Sequence, residues 1–370
     1  MIDSLALRNF KGFSRIDLDL APLTLLSGLN AAGKSTVLQA LAVLRQSHDA
    51  GLLAESSLLL NGELVDLGTG RDILHEDYET NDSDPKIRLC ISEAGVPREW
   101  TVRYGSDQDV LMVEQGSDNN LAGMILFGND FQYLRADRIF PSVYFPKSYE
   151  MAVRRRFLGV RGEHTVNYLR VHRDDRLFDS ALLHSSAKSG SVLDQTTAWM
   201  QELCPGVDLQ VADLEGTDFV RLDYGFFGTA GIRASNRYRP TNVGFGLTYV
   251  LPVVVACITA GPGSLVILEN PEAHLHPRGQ AVMGQLVAHA AAAGAQLLVE
   301  THSDHILNGV RIAVKDKMVS PNSVKFHFFQ RSTSGKIDIS TPIVGPDGML
   351  SEWPEGFFDE WDHALDRLLS

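Results

Sequence analysis

The chain has 370 residues, 44% hydrophobic and 21% charged, with a formal net charge of −13. That length allows one large domain or two modest ones with a substantial core, and the acidity excludes a wholly basic nucleic-acid coat while leaving room for a local basic face. No uncharged apolar stretch reaches membrane-spanning length, Met1-Ile2-Asp3-Ser4 lacks a signal-peptide layout, and three scattered cysteines (Cys90, Cys204, Cys257) form no C-x-x-C pair, so a soluble, cytoplasmic protein with core cysteines is expected.

In chain order, residues 4–10 and 16–26 read as two strands, with Lys11-Gly12-Phe13 turning between them. The apolar run Leu23-Thr24-Leu25-Leu26-Ser27 then enters Gly28-Leu29-Asn30-Ala31-Ala32-Gly33-Lys34-Ser35, a full G-x-x-x-x-G-K-[ST] pattern, and residues 36–44 continue with helical period. In that strand-loop-helix setting the pattern predicts a nucleoside triphosphate site. Backbone N–H groups of Gly28, Asn30, Ala31, Ala32 and Gly33 would curl around the phosphates, and Lys34 would meet the β- and γ-phosphates. Ser35, followed by Thr36, would offer its hydroxyl to Mg2+ at the positive end of the helix. The plain alternative is a glycine-rich turn ahead of a core helix.

From residue 58 to 113, alternating and β-branched runs broken by Gly and Asp/Ser clusters suggest an accessory antiparallel β-layer. Residues 150–212 read as mainly helical, with Cys204-Pro205-Gly206 as a breaker, and a strand pair follows near 208–226. Between Tyr133 and Arg176, the cations Arg135, Arg138, Lys147, Arg154, Arg155, Arg156, Arg161, Arg170, Arg173 and Arg176 outnumber the acids Asp137, Glu150, Glu163, Asp174 and Asp175. Such a run is either a solvated face with internal ion pairs or a surface for phosphates or an acidic partner. Beyond a Gly- and Arg-rich loop, a helix over 247–260 precedes an alternation of strand (264–268), helix (278–293), strand (296–300) and helix (304–314). That order marks a mostly parallel sheet with covering helices.

Ser264-Leu265-Val266-Ile267-Leu268-Glu269 is an apolar strand ending in an acid, as a second metal-holding strand opposite Ser35 requires. The segment continues Asn270-Pro271-Glu272-Ala273-His274-Leu275-His276-Pro277, and later comes Leu297-Leu298-Val299-Glu300-Thr301-His302-Ser303. Together with Leu7-Arg8-Asn9-Phe10-Lys11-Gly12-Phe13, these stretches resemble the ABC-type AAA-family ATPases, in the branch of the overcoming-lysogenization-defect (OLD) nucleases, RecF, Rad50 and SMC proteins. The resemblance implies that Glu269 is the Walker B metal ligand and His302 the switch histidine at the γ-phosphate. It also makes Gln46 similar in position to the glutamine that reaches metal and attacking water. Asn242-Val243-Gly244-Phe245-Gly246-Leu247 resembles the signature loop, with Asn242, Gly244 and Gly246 reaching a partner subunit's nucleotide. Many relatives carry a second acid after Walker B; here Asn270 stands in its place, so Glu272 becomes the candidate base and slow hydrolysis is expected. His274 and His276, two apart, do not share a helical face and are not read as a metal pair.

The resemblance covers the nucleotide-binding lobes, roughly 1–75 and 235–315. It implies an α/β fold: an ABC-type P-loop ATPase with a mixed or parallel central sheet, an accessory antiparallel β-layer and a helical insertion. The expected division is an N-terminal ATPase lobe (1–130), an insertion (131–230), a C-terminal ATPase lobe (231–315) and a tail (316–370). The tail, through Trp353, Phe357, Phe358 and Trp361, resembles a C-terminal segment of unassigned role in one bacterial subgroup, and its aromatics read as packing anchors. No Toprim nuclease domain and no coiled coil is visible. The implied protein is a bacterial, head-to-tail homodimer around ATP and Mg2+ that gates a separate effector such as a nuclease, in defence against phage. The rivals are a DNA-binding clamp for repair or recombination, a non-hydrolysing ATP sensor and, least compatible with the β-layer, a membrane transporter subunit.

Overall fold

A computed structural model describes residues 1–78, 85–116, 121, 123–226, 236–332, 336–354 and 360–369. Its elements run β1 (Ile2–Phe10), β2 (Phe13–Asp19), β3 (Leu23–Gly28), α1 (Lys34–Asp49), β4 (Ser57–Leu59), α2 (Gly70–Ile73), β5 (Lys86–Glu93), β6 (Val96–Arg103) and β7 (Val110–Gly116). They continue with β8 (Phe131–Leu134), β9 (Phe145–Pro146), α3 (Thr165–His172), α4 (Val192–Leu203), β10 (Val207–Asp213), β11 (Phe219–Phe226) and α5 (Phe245–Thr259). The last are β12 (Leu265–Glu269), α6 (Pro277–Ala292), β13 (Gln296–Glu300), α7 (Asp304–Lys315), β14 (Val324–Arg331), β15 (Ile337–Ser340) and α8 (Glu360–Leu369). These fall into two units, one of residues 1–127 with 321–370 and the other of 128–320.

In the first unit an antiparallel sheet runs in the order β2-β1-β5-β6-β7-β4. Alternation builds it: Leu5 and Leu7 of β1, Ile16 and Leu18 of β2, and Leu89 and Ile91 of β5 are buried, whereas the residues between them face outward. The β1–β2 hairpin turns at Lys11-Gly12, with Asn9 and Lys11 at positive φ. The run over 16–26 is not one strand, because Pro22 lacks an N–H for a ladder and the chain there changes partners. β2 pairs antiparallel with β1, and β3 pairs parallel with β14, 300 residues later in the chain, which is itself antiparallel to β15. The tail 316–370 thus supplies a strand beside the one that carries the phosphate loop. Phe357, Phe358 and the side chain of Trp361 lie outside the described residues, and Trp353 is exposed.

In the second unit, β8, β12 and β13 form parallel pairs, with Glu269 opposite Glu300 at the carboxyl ends. Apart from Glu269 itself, β12 and β13 are buried along their whole length, which is why they read as continuous apolar runs. α5, α6 and α7 belong to this unit, and α5 is buried through most of its length, so its sequence is apolar all round. The region expected to be helical over 150–212 holds α3 and α4, ending at Cys204 where Pro205-Gly206 stops it. β10, β11 and β9 form a small antiparallel sheet beyond. Among the described residues no helix is long and apolar enough to cross a membrane.

Candidate functional site

The phosphate-loop half is built on β3, whose buried residues deliver Gly28 to the start of the turn. Gly28 has φ +132, and a Cβ there would stand 2.1 Å from the carbonyl oxygen of Phe329 on β14, so only glycine lets the two strands pair this far. Gly33 has φ +89, and a Cβ would stand 2.5 Å from the ring of Phe13. The Lys11-Gly12-Phe13 hairpin tip therefore packs under the loop, and Lys11 Nζ donates to Gln39 on α1 at 2.7 Å. α1 begins at Lys34 with no acid in its first turn, leaving its positive end uncompensated within the loop. Lys34 is buried, and its ammonium donates to the carbonyls of Gly28 (3.0 Å) and Leu29 (2.7 Å). Asn30 and Ala31 are exposed at the rim, with Ala31 at positive φ, while Ala32 and Thr36 are buried. Ser35 follows Lys34 in the first turn of α1.

Gln46 does not belong to this half-site. It lies near the end of α1, twelve residues and so roughly 18 Å along the helix from Lys34. Its amide is engaged elsewhere: Nε2 donates to the Leu59 carbonyl (2.8 Å), and Oε1 accepts from Leu64 N (3.2 Å) and Val65 N (3.0 Å). Gln46 pins the segment after α1; it is no ligand to metal or water as placed.

In the second unit the structure brings Glu269, Asn270, Glu272 and His302 to the carboxyl ends of β12 and β13. The Glu269 carboxylate is held by two donors, Tyr133 Oη (2.5 Å) on β8 and Ala136 N (3.0 Å). Burial, reinforced by the adjacent carboxylate, pushes the Tyr133 phenol well above the usual tyrosine range, so it stays a donor. Arg138 is 1% exposed; its guanidinium donates to the carbonyls of Arg135 (3.1 Å), Glu269 (2.8 Å) and Asn270 (2.5 Å). Burial lowers its pKa to about 10, and nearby Tyr249, Glu272 and Glu269 counter that shift. Asn270 takes φ +44, a region Asn tolerates, and its side-chain oxygen is buried without a hydrogen-bond partner among the described residues. Glu272 is buried, with Oε1 accepting from the backbone N–H of exposed His302 at 2.8 Å. Burial raises its carboxyl above the ordinary glutamate value, against the opposing effect of its hydrogen bonds. Ser303 caps α7 by accepting from His305 N and Ile306 N, which fixes the turn that carries His302.

Asn242 ends a short 3-10 turn and is exposed, and Gly244 precedes α5 with open space around the position of a Cβ. Gly246 is needed for close approach, because a Cβ would stand 2.7 Å from the His274 carbonyl oxygen. His274 is packed by the rings of Phe245 (centroids 4.7 Å apart) and Tyr249 (4.8 Å), and His276 precedes α6. No cluster of three or more metal-ligating side chains occurs among the described residues. Arg138 also lies over the Tyr249 ring at 4.4 Å, and the Tyr249 hydroxyl donates to the carbonyl of Ala136, the residue whose N–H holds Glu269. A continuous set of contacts therefore joins the start of α5 to the Glu269 carboxylate. Tyr133 and Tyr249 were not singled out by the sequence, and Arg138 was read only as one cation of the basic stretch; the available signal was that Tyr133 and Arg138 flank the end of an apolar strand.

The basic stretch is largely consumed by internal pairing. Arg135 and Arg161 meet Asp137, Lys147 and Arg170 meet Asp213, Arg154 meets Glu150, and Arg156 donates to the Tyr168 hydroxyl.

Comparison with known proteins agrees with this architecture. Residues 1–135 match the model of an AAA ATPase domain, and residues 170–308 match an AAA domain described as a putative AbiEii toxin of a type IV toxin–antitoxin system. Residues 319–368 match a protein family of unknown function, DUF3696. No curated protein sequence matches the chain. Among solved structures, the Smc head bound to the C-terminal winged-helix domain of ScpA is similar with TM-score 0.53 and 13% identity, covering 93% of this chain and 98% of that one. The Smc head with an extended coiled coil, bound to the C-terminal domain of ScpA and derived from Pyrococcus furiosus, gives TM-score 0.52 and 11% identity over 100% and 99%. At such identities the likeness speaks for the fold alone. Two AAA ATPase-domain models thus match separate parts of the chain, and its fold is similar to that of the Smc heads.

Proposed function

We propose that the chain is a slowly hydrolysing, nucleotide-gated switch that dimerises around ATP and Mg2+ and controls a separate effector in defence against phage. The observation that carries the nucleotide reading is the loop itself: glycine-only approaches at Gly28 and Gly33, a buried Lys34 ammonium at its mouth and a helix start without acids. The residues fit a triphosphate with its metal, and the buried, unpartnered Asn270 oxygen is the kind of polar atom such a group satisfies. When bound, ATP with Mg2+ supplies the transferable γ-phosphoryl group. Lys34 would then exchange carbonyl contacts for phosphate oxygens, and Ser35 and Glu269 would serve as metal ligands. His302 would serve the γ-phosphate, and Asn242, Gly244 and Gly246 the partner subunit's nucleotide.

Hydrolysis is slow in this reading because Asn270 orients water but accepts no proton, and Glu272 already accepts the His302 N–H. That bond suits a switch: a shift of the His302 turn alters the buried carboxylate proposed as base. The toxin-system description of the 170–308 match and the ScpA domains bound by the solved Smc heads support a chain that acts through another protein. The deciding experiment is phosphate release together with sedimentation, with and without ATP. We expect slow turnover and an ATP-dependent rise in mass for the wild type, and neither for Lys34→Ala. An ATP-dependent dimer with no phosphate release in either protein would instead assign a non-hydrolysing sensor.

A further inference from the structure

The outer face of the antiparallel sheet carries an arrangement that the nucleotide site does not use. In strand register, Arg8 of β1 stands opposite Arg15 of β2 on one side and opposite Arg88 of β5 on the other. Their neighbours Leu7, Ile16 and Leu89 are buried, so alternation turns all three arginines to the outer face. Like charges directly opposite one another destabilise a sheet. Asp17 answers two of them, meeting Arg8 at 2.6 Å and Arg15 at 3.1 Å, and Lys86, on the same face of β5 as Arg88, meets Glu114 at 2.7 Å. These four cations line an open cleft of ≈ 470 Å³, with Asp77 the only acid in its wall among the described residues. Tyr78 lies beside them, and no residue of the phosphate loop contributes.

The Arg8 guanidinium is aimed in advance: one nitrogen donates to the carbonyls of Leu7 (2.9 Å) and Ile16 (2.8 Å), which fixes its plane. Planar guanidinium forks in a row suit the oxygens of a phosphorylated molecule, and the cleft falls within the volume range of small-ligand sites. We propose that this cleft binds a small, multiply phosphorylated ligand of about mononucleotide size, at a site separate from the phosphate loop. Tyr78 offers its ring to a planar group of that ligand.

The test uses the full chain carrying Lys34→Ala, which removes the phosphate loop's contribution and makes failure here distinguishable from failure of the ATPase reading. Inorganic tripolyphosphate, without divalent metal, is titrated calorimetrically. Saturable binding is expected, weakened about tenfold or more by either R8Q or R88Q, since each removes charge-assisted hydrogen bonds. R15Q, at a more exposed side chain, serves as the variant least able to disturb folding, and its melting is expected to match that of the unsubstituted sheet. No saturable binding, or equal binding by all variants, overturns the proposal. So does binding confined to duplex DNA. Glu79, Asp82 and Asp84 lie close by in the sequence; binding that appears only after E79Q, D82N and D84N would assign the cations to ion pairs within the chain and overturn it as well.

Discussion

Glu269 is oriented by a phenol and a backbone amide rather than by another charge. Tyr133→Phe removes one donor while keeping the ring packed, so the carboxylate loses one of the two bonds that orient it. The expected cost is about 1–2 kcal/mol of stability, and the Mg2+ concentration for half-maximal phosphate release should rise. Unchanged metal dependence would show that Glu269 is aimed without the phenol. Glu272 gives a prediction with a definite sign. Its carboxyl is raised by burial, so the folded state holds its proton to higher pH than the unfolded chain, whose ordinary value is 4.5. Below that value both states are protonated and Glu272→Gln matches the wild type. As pH rises, the unfolded carboxyl ionises first, and the wild type loses about 1.4 kcal/mol per pH unit until the raised folded value is passed. Denaturant melts at acidic and neutral pH should therefore show the variant gaining relative stability toward neutrality. Phosphate release should fall in the same variant if Glu272 is the base.

At the scale of elements, α5 is the part whose position most affects the site. Its first turn touches His274 through Gly246, Phe245 and Tyr249, and Tyr249 connects onward to Ala136 and Arg138. Gly246→Ala would force α5 from the His274 turn; a loss of roughly 1–3 kcal/mol is expected, with phosphate release reduced beyond what the loss of folded protein explains. Equal thermal melts for variant and wild type would show that the two segments give way freely. Much of this architecture was readable in advance. The loop from Gly28 to Ser35 and the alternation of β12, α6, β13 and α7 are contiguous and strongly periodic, and local patterns survive folding intact. The break at residues 20–22 was hidden because a strand changing sheets keeps its apolar composition on both sides of Pro22. Gln46 was placed with the site by its order in the chain, whereas α1 runs on through it to Asp49 and carries it roughly 18 Å along the axis from Lys34. Tyr133 escaped notice, and Arg138 was read as part of a basic stretch, because their partners Glu269 and Asn270 are more than 130 residues away.

At the scale of the whole molecule, the first unit is assembled from both ends of the chain. β14 lies parallel to β3 from Val324 opposite Leu23 to Phe329 opposite Gly28, so the segment matched by a family of unknown function begins as a structural neighbour of the phosphate loop. A chain ending at Ser320 lacks that strand and leaves one edge of β3 exposed. Such a protein is expected to lose ATP binding and to aggregate, measurable with a fluorescent nucleotide and by light scattering. A soluble, nucleotide-binding truncation would show that β3 holds its loop without β14.

The pairing of Gly28 with Phe329 also sets a timetable. During synthesis the loop emerges well before the strand that completes its support, so vectorial folding leaves the loop unsupported until β14 has been made. A polypeptide cut short by premature termination would carry the whole nucleotide-binding motif and still be unable to present it. For a protein proposed to unleash a harmful effector, that dependence acts as proofreading: only a chain translated through β14 can arm the switch.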